Sequence, residues 1–143
     1  MTPRYALDTD ILSNVTKTVP SPAVLRWLES QDPGTLFVAT FTLAEIERGI
    51  FQCPAGKKRT ALEAWFYGAD GPRQILAGRI LPFDQFAATH WARIMAEGAT
   101  GRPRSATDMI VAATAAANDC VVVTLNERHF RGAVPLINPL TAS

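Results

Sequence analysis

The sequence predicts an α/β fold of three layers, in which a mostly parallel, twisted sheet of about five strands carries helices on both faces. Short apolar runs alternate with helical stretches, as they do in βαβ units. One run, Cys120-Val-Val-Val-Thr124, is rich in β-branched residues and does not alternate, which is typical of a central parallel strand. The chain has 143 residues, 48% hydrophobic and 19% charged, so we expect one domain over residues 1–143.

Five apolar runs are the predicted strands. They are Arg4–Asp8, Leu36–Thr40, Arg79–Phe83, Cys120–Leu125 and Val134–Ile137. We expect the strand order 3-2-1-4-5, because the first run is apolar enough to lie in the middle of the sheet. The crossovers between parallel strands should be right-handed.

Residues that commonly cap helices mark where the predicted helices begin. Ser21 precedes Pro22, and Thr42, Asp84 and Ser105 open stretches that run to about Gln52, Gly98 and Asn118. A further helical stretch over residues 57–78 is interrupted by Gly68 and by Gly71-Pro72.

Charge, cysteine content and hydropathy exclude several classes of protein. The net charge is +1, so a nucleic-acid partner would have to be recognised by local charge. Cys53 and Cys120 lie far apart and predict neither a zinc site nor a disulfide framework. We find no signal-peptide pattern and no apolar stretch near the ~20 residues that span a bilayer, and therefore expect a cytoplasmic protein.

Three acidic residues are predicted to meet at one edge of the sheet. Asp8 ends the first strand, Glu45 lies in the first turn of the helix after the second, and Asp108 lies in the first turn of the helix before the fourth. Ligands of such sheets bind at the carboxyl ends of the strands. Converging carboxylates repel one another unless a cation is present, and oxygen ligands select Mg²⁺ or Mn²⁺. The pattern predicts metal-assisted hydrolysis of a phosphate ester.

Each acid also has a purely structural explanation. Asp8 could cap the short segment that follows it, and Thr42-Leu-Ala-Glu45 matches a capping box. Asp108 could stabilise the N-terminus of its own helix. Asp10 could be a helix cap, or it could orient the metal ligands without binding the ion itself. The functional interpretation therefore rests on the convergence of the acids and not on any one of them.

Four segments resemble, in order, the motifs of PIN-domain ribonucleases, and most closely those of the VapC and FitB-like toxins of type II toxin–antitoxin systems. The segments are Leu7–Leu12, Thr42–Gly49, Thr107–Ala115 and Val123–Phe130, and Ile137–Pro139 resembles a common ending of these proteins. Each motif is weak alone. Their order and spacing match over nearly the whole chain, from residue 5 to residue 139.

The resemblance implies a sequence- or structure-selective endoribonuclease that uses Mg²⁺, with Mn²⁺ as a substitute. It implies metal ligands at Asp8 and Asp108, with Glu45 completing a catalytic set of three. Thr9 and Asp10, which follow Asp8 in the first motif, are secondary candidates. It also implies a small DNA-binding antitoxin as cognate partner, and a homodimer.

The fourth motif departs from the pattern of the family. Many relatives carry an acid at the position of Asn126 or of His129, whereas here the only acid of the motif is Glu127. These three residues are secondary site candidates, and the number of metal ions, one or two, stays open. Asn126 could orient a water molecule or the Asp108 carboxylate.

Contacts to RNA must come from local positive charge. Arg102 and Arg104 precede the helix of Asp108, and Arg128 follows the fourth strand at the same edge of the sheet. These arginines are candidates for phosphate contacts, which fix register without reading sequence. The alternative is ordinary solvated loop charge.

Three other classes of protein compete with the nuclease. Asp8-Thr-Asp10-Ile-Leu12 resembles the Asp-x-Asp-x-Thr start of haloacid dehalogenase-type phosphatases, but position 12 is Leu and no later Asp-Asp pair occurs. A receiver-type phosphoacceptor domain would need a Lys at the end of a late strand. A non-catalytic PIN-like binding module, with the acids serving only as caps, would show no metal-dependent cleavage of RNA.

Overall fold

A computed structural model describes residues 2–98 and 103–142 of the chain. Its sheet is parallel throughout and has the predicted order β3-β2-β1-β4-β5. The strands are Tyr5–Leu7 (β1), Leu36–Ala39 (β2), Ile80–Leu81 (β3), Val121–Val123 (β4) and Leu136–Ile137 (β5). Each strand lies within its predicted run and is shorter than that run.

Helices connect the strands in the predicted alternation. They are Thr9–Leu12 (α1), Pro22–Glu29 (α2), Thr40–Gln52 (α3), Lys57–Tyr67 (α4), Pro72–Ile75 (α5), Gln85–Gly98 (α6), Ala106–Ala117 (α7) and Glu127–Phe130 (α8). The predicted caps Ser21, Asp84 and Ser105 are confirmed, because each side chain accepts a hydrogen bond from a backbone N–H of the first turn. Gly71 separates α4 from α5, where the carbonyls of Trp65 and Phe66 leave no room for a Cβ.

The predicted start of α3 at Thr42 is wrong. The helix begins at Thr40 directly after β2, and its N-cap residue Ala39 makes no side-chain hydrogen bond. The Thr40 hydroxyl donates to the carbonyl of Leu81 at 3.1 Å, which ties the start of the helix to β3. Thr42 is buried in the first turn. The capping box is therefore excluded, and Glu45 lies in the second turn of α3 instead of the first.

Helices cover both faces of the sheet. On one face α7, which is apolar nearly all round, packs with α6 against Ala6 and Val122. On the other face Leu7 and Val123 pack with α1 and α2, and Val38 packs with α3 and α4. Within the described ranges, no helix is both long and apolar enough to cross a membrane.

The central strands fix the position of the carboxyl edge. Leu7 of β1 is in register with Val123 of β4, and the N–H of Asp8 donates to the carbonyl of Val123 at 2.9 Å. The chain segments that follow these two strands therefore begin side by side. Helix α3 packs against both α1 and α7, so the first turns of the three helices lie around the same edge.

Candidate metal centre at the carboxyl edge of the sheet

Asp8 is the most buried acid of the site, with 8% of its surface exposed. Its Oδ1 accepts the N–H of Thr9 at 2.8 Å, and its Oδ2 accepts the hydroxyl of Thr124 at 2.8 Å. The first bond makes Asp8 the N-cap of α1, so the capping explanation is correct. Burial nevertheless raises the pKa of Asp8, and the nearby charge of Asp108 adds to this rise. Helix capping alone does not account for a carboxylate in so unfavourable a place.

Glu45 shares the electrostatic environment of Asp8. Partial burial raises the pKa of the Glu45 carboxyl, and the charges of Asp8 and Asp108 raise it further. Because the helix begins five residues earlier, at Thr40, Glu45 has no capping role. Asp8, Glu45 and Asp108 therefore lie within electrostatic range of one another, and their assignment as metal ligands and catalytic residues stays a prediction.

Asp108 contacts a residue of the fourth motif. Helix α7 places it in the first turn, where its N–H donates to the Ser105 hydroxyl. The Nδ1 of His129, on α8, lies 3.0 Å from Asp108 Oδ2, with 53% and 25% of the two side chains exposed. The motif's spacing identified His129 as a replaced acid, but gave no sign of this contact across 21 residues of sequence.

Asp10 does not cap α1, so this alternative is wrong. Its Oδ2 accepts the N–H of Leu125 and the side-chain Nδ2 of Asn126, both at 3.0 Å. Its Oδ1 is buried and has no hydrogen-bond partner within the described part of the chain. Burial raises the pKa of Asp10 to about 6, with a further contribution from the charge of Asp8.

Two other secondary candidates have different surroundings. The Thr9 hydroxyl is buried near the acids, and its interaction with the Glu45 carboxyl opposes the rise in the pKa of Glu45. Glu127 is engaged at both oxygens, by Asn138 Nδ2 at 3.1 Å and by Arg131 Nη2 at 3.4 Å. Sequence reasoning did not single out Asn138 as a site residue, although it lies in the Ile137–Pro139 ending. Its amide links the C-terminal segment to the start of α8.

The donors at this edge fit a hard divalent cation. They are carboxylates whose charged form is penalised by burial and by their neighbours, and a bound cation would relieve both penalties. In the described parts of the chain, no three His, Cys, Asp or Glu side chains already stand close enough to hold one ion. A site with Asp8 and Asp108 as its two carboxylates would match the way Mg²⁺ is usually bound, with one or two carboxylates and several waters.

Positive charge lies beside Asp108. Arg128 is exposed and, with Ser105 and His129, lines a cavity of about 120 Å³ next to Asp108. Arg104 lines the same cavity, and its Nη2 donates to the carbonyl of Arg131 at 2.9 Å. Arg102, the third predicted RNA contact, lies outside the described residues.

Sequence comparison defines the class of this protein. The PIN domain profile matches residues 5–134, and the chain therefore belongs to the PIN-domain family. Within that family it is similar to VapC ribonuclease Y4jK of Sinorhizobium fredii, with 38% identity over 93% of this chain and 95% of that protein. It is also similar to toxin FitB of Neisseria gonorrhoeae, with 33% identity over 93% and 96% of the two chains.

Structural comparison leads to the same group. The crystal structure of FitAcB from Neisseria gonorrhoeae contains a chain that superimposes with a TM-score of 0.89 and 31% identity, covering 96% of this chain and 99% of that one. The resemblance to VapC and FitB-like proteins and the predicted fold class are both confirmed.

Proposed function

We propose that this chain is the toxin of a toxin–antitoxin pair, an endoribonuclease that hydrolyses RNA phosphodiester bonds with a carboxylate-bound Mg²⁺, for which Mn²⁺ substitutes. The observation that carries the proposal is the cluster of Asp8, Glu45 and Asp108, whose charges oppose one another at the carboxyl edge of a PIN-domain sheet. The similarity to proteins named VapC ribonuclease and toxin FitB supports the same function.

The three acids have two roles in this proposal. Asp8 and Asp108 would hold the ion, and the ion would stabilise charge on a phosphate and make a water more acidic. Glu45 has a raised pKa and partial exposure, so it suits the acceptance of a proton from the attacking water. The hydroxyl of Thr124 and the imidazole of His129 hold Asp8 and Asp108 in place.

The substrate contacts follow from the charges around the site. Arg128 is exposed next to Asp108, where its guanidinium can contact a phosphate beside the bond that is cleaved. Arg104 donates one N–H to the carbonyl of Arg131, and the other N–H groups of its guanidinium can contact the same strand of RNA. Such contacts position the backbone, and base recognition requires other groups.

We further propose a small DNA-binding antitoxin and a second copy of the chain as partners. The chain's relatives include proteins solved as the complexes FitAcB and FitAB bound to DNA. A groove of about 550 Å³ between residues 15–18 and α4 has Val15, Leu62 and Trp65 as apolar lining and carries Lys17 and Lys58. An acidic amphipathic segment of an antitoxin fits that chemistry.

Two exposed phenylalanines are candidates for contact with a partner chain, whereas Trp27 packs within this chain. Phe83 and Phe86 are exposed near the start of α6 and would be covered by a partner chain. Trp27, in contrast, packs edge-on against Tyr5 with ring centroids 5.0 Å apart and lies partly buried against the core.

The proposed function is tested by incubating the purified chain, freed of any partner, with a mixed RNA pool in Mg²⁺, in Mn²⁺ or in EDTA. We expect cleavage at defined sites with either metal, and none in EDTA or with Asp8→Asn. Asp84→Asn, at an exposed helix cap, is the matched control and should cleave like the wild type. Cleavage that persists in EDTA would contradict the proposal, and a folded wild type that never cleaves RNA would favour the binding module.

A further inference from the structure

The Asp10 carboxylate joins two segments that are far apart in the sequence. Its Oδ2 accepts two hydrogen bonds from the turn after β4, from the backbone N–H of Leu125, 115 residues away, and from the side-chain amide of Asn126. Both bonds measure 3.0 Å and involve an ionisable acceptor, which makes them stronger than bonds between neutral groups.

Asp8 and Asp10 accept hydrogen bonds from different residues of the turn after β4. The Thr124 hydroxyl lies 2.8 Å from Asp8 and 3.5 Å from Asp10, and it has one proton to donate, so the bond belongs to Asp8. The N–H of Asn126 donates in turn to the Thr124 oxygen at 3.0 Å. Asp8 is therefore fixed by residue 124, while Asp10 holds residues 125 and 126.

Asp10 also determines the orientation of the Asn126 amide. A carboxylate accepts hydrogen bonds and does not donate them, so Asn126 must turn its NH₂ towards Asp10. The carbonyl oxygen of that amide then faces away from Asp10. Asn126 immediately precedes α8, the short helix that brings His129 to Asp108. By binding Asn126, Asp10 therefore affects the position of two groups, the amide oxygen of Asn126 and the imidazole of His129.

We propose that Asp10 is a positioning residue of the metal centre, which orients the Asn126 amide and the start of α8 through hydrogen bonds without touching the ion. This inference rests on the proposed function of the same site. It assigns a task to Asn126, whose amide is held in one orientation at the residue that immediately precedes α8.

Two substitutions of Asp10 separate positioning from direct binding. Asp10→Asn keeps one side-chain oxygen, which can accept both bonds, but removes the charge. Asp10→Ala removes the acceptor. Hydrogen exchange at the Leu125 amide and calorimetric Mn²⁺ affinity are measured for both variants without RNA. Asp10→Ala should accelerate exchange by on the order of 10-fold and weaken Mn²⁺ binding by on the order of 10-fold. Asp10→Asn should exchange no faster than the wild type and should stay within about threefold of it in Mn²⁺ affinity.

Asn126→Ala tests whether Asp10 acts through Asn126. This substitution, at an exposed position, should weaken Mn²⁺ binding about as much as Asp10→Ala, and the double variant should be no weaker than either. Should Asp10→Ala fail to fold, the comparison of Asn126→Ala with Asp10→Asn/Asn126→Ala still separates positioning from direct binding. The two should bind Mn²⁺ equally, whereas loss of a direct ligand would weaken the double variant further.

Three results would overturn the inference. They are unchanged Leu125 exchange in Asp10→Ala, a loss of Mn²⁺ affinity in Asp10→Asn as large as that in Asp10→Ala, and additive losses in the double variant. The second would make Asp10 a direct ligand. Failure of the proposed function itself would be seen separately, as absence of RNA cleavage by a wild type whose Leu125 amide is still protected by Asp10.

Discussion

Removing the charge of Asp10 should stabilise the metal-free protein at neutral pH. Burial and the charge of Asp8 raise the pKa of Asp10 from its ordinary value of 3.8 to about 6. A folded chain that holds this proton more tightly than the unfolded chain loses stability as the pH rises from about 4 to about 6. The difference corresponds to about 3 kcal/mol for a fully buried group. Solvent around the partly exposed Asp10 reduces our expectation to about 1–2 kcal/mol.

Urea unfolding in EDTA at pH 4 and at pH 7.5 measures this effect. The free energy of unfolding of Asp10→Asn, relative to the wild type, should increase by about 1–2 kcal/mol between the two pH values. Asp84→Asn is the matched control for the loss of one surface charge, and its relative stability should change little between them. A relative stability of Asp10→Asn that is independent of pH, or that falls as the pH rises, would refute the reasoning.

Three further substitutions test the acids and the fourth motif. Asp8→Asn should abolish RNA cleavage while the melting temperature of the metal-free protein holds or rises, because Asn still caps α1 and a buried charge is lost. Glu45→Gln should slow cleavage by about 100-fold or more with little change in melting temperature, and wild-type activity would show that Glu45 is not the base. His129→Asp places a fourth carboxylate against Asp108 and should tighten Mg²⁺ binding severalfold in calorimetry, so unchanged affinity would mean that this position does not act on the ion.

The fold was predictable because its signals are local and repeated. The apolar β-branched run before Thr124 and the all-round apolar α7 each require burial on more than one side, and parallel strands with helical crossovers satisfy both. The error at Thr42 has the same local origin. A capping motif marks the start of a helix only when the residues before it are not helical. Here α3 begins directly after β2, two residues before Thr42, so Thr42 already lies inside the helix.

The proximity of the three acids was predictable from topology, whereas their hydrogen-bond partners were not. Asp8, Glu45 and Asp108 follow or begin elements whose ends share one edge of the sheet, so strand order alone brings them together. The bonds of Asp10 to the β4–α8 turn depend on how α1 packs beside that turn. The contact of His129 with Asp108 likewise depends on the angle at which α8 leaves β4. No spacing rule encodes either arrangement.

Anomalous diffraction from crystals grown with Mn²⁺ tests the central claim most directly. We expect one anomalous peak at the carboxyl edge of the sheet, with Asp8 and Asp108 oxygens as direct ligands at about 2.0–2.6 Å and with Glu45 reaching the ion directly or through water. A peak elsewhere on the chain, or no peak at this edge in crystals whose Mn²⁺ concentration saturates binding in solution, would contradict it.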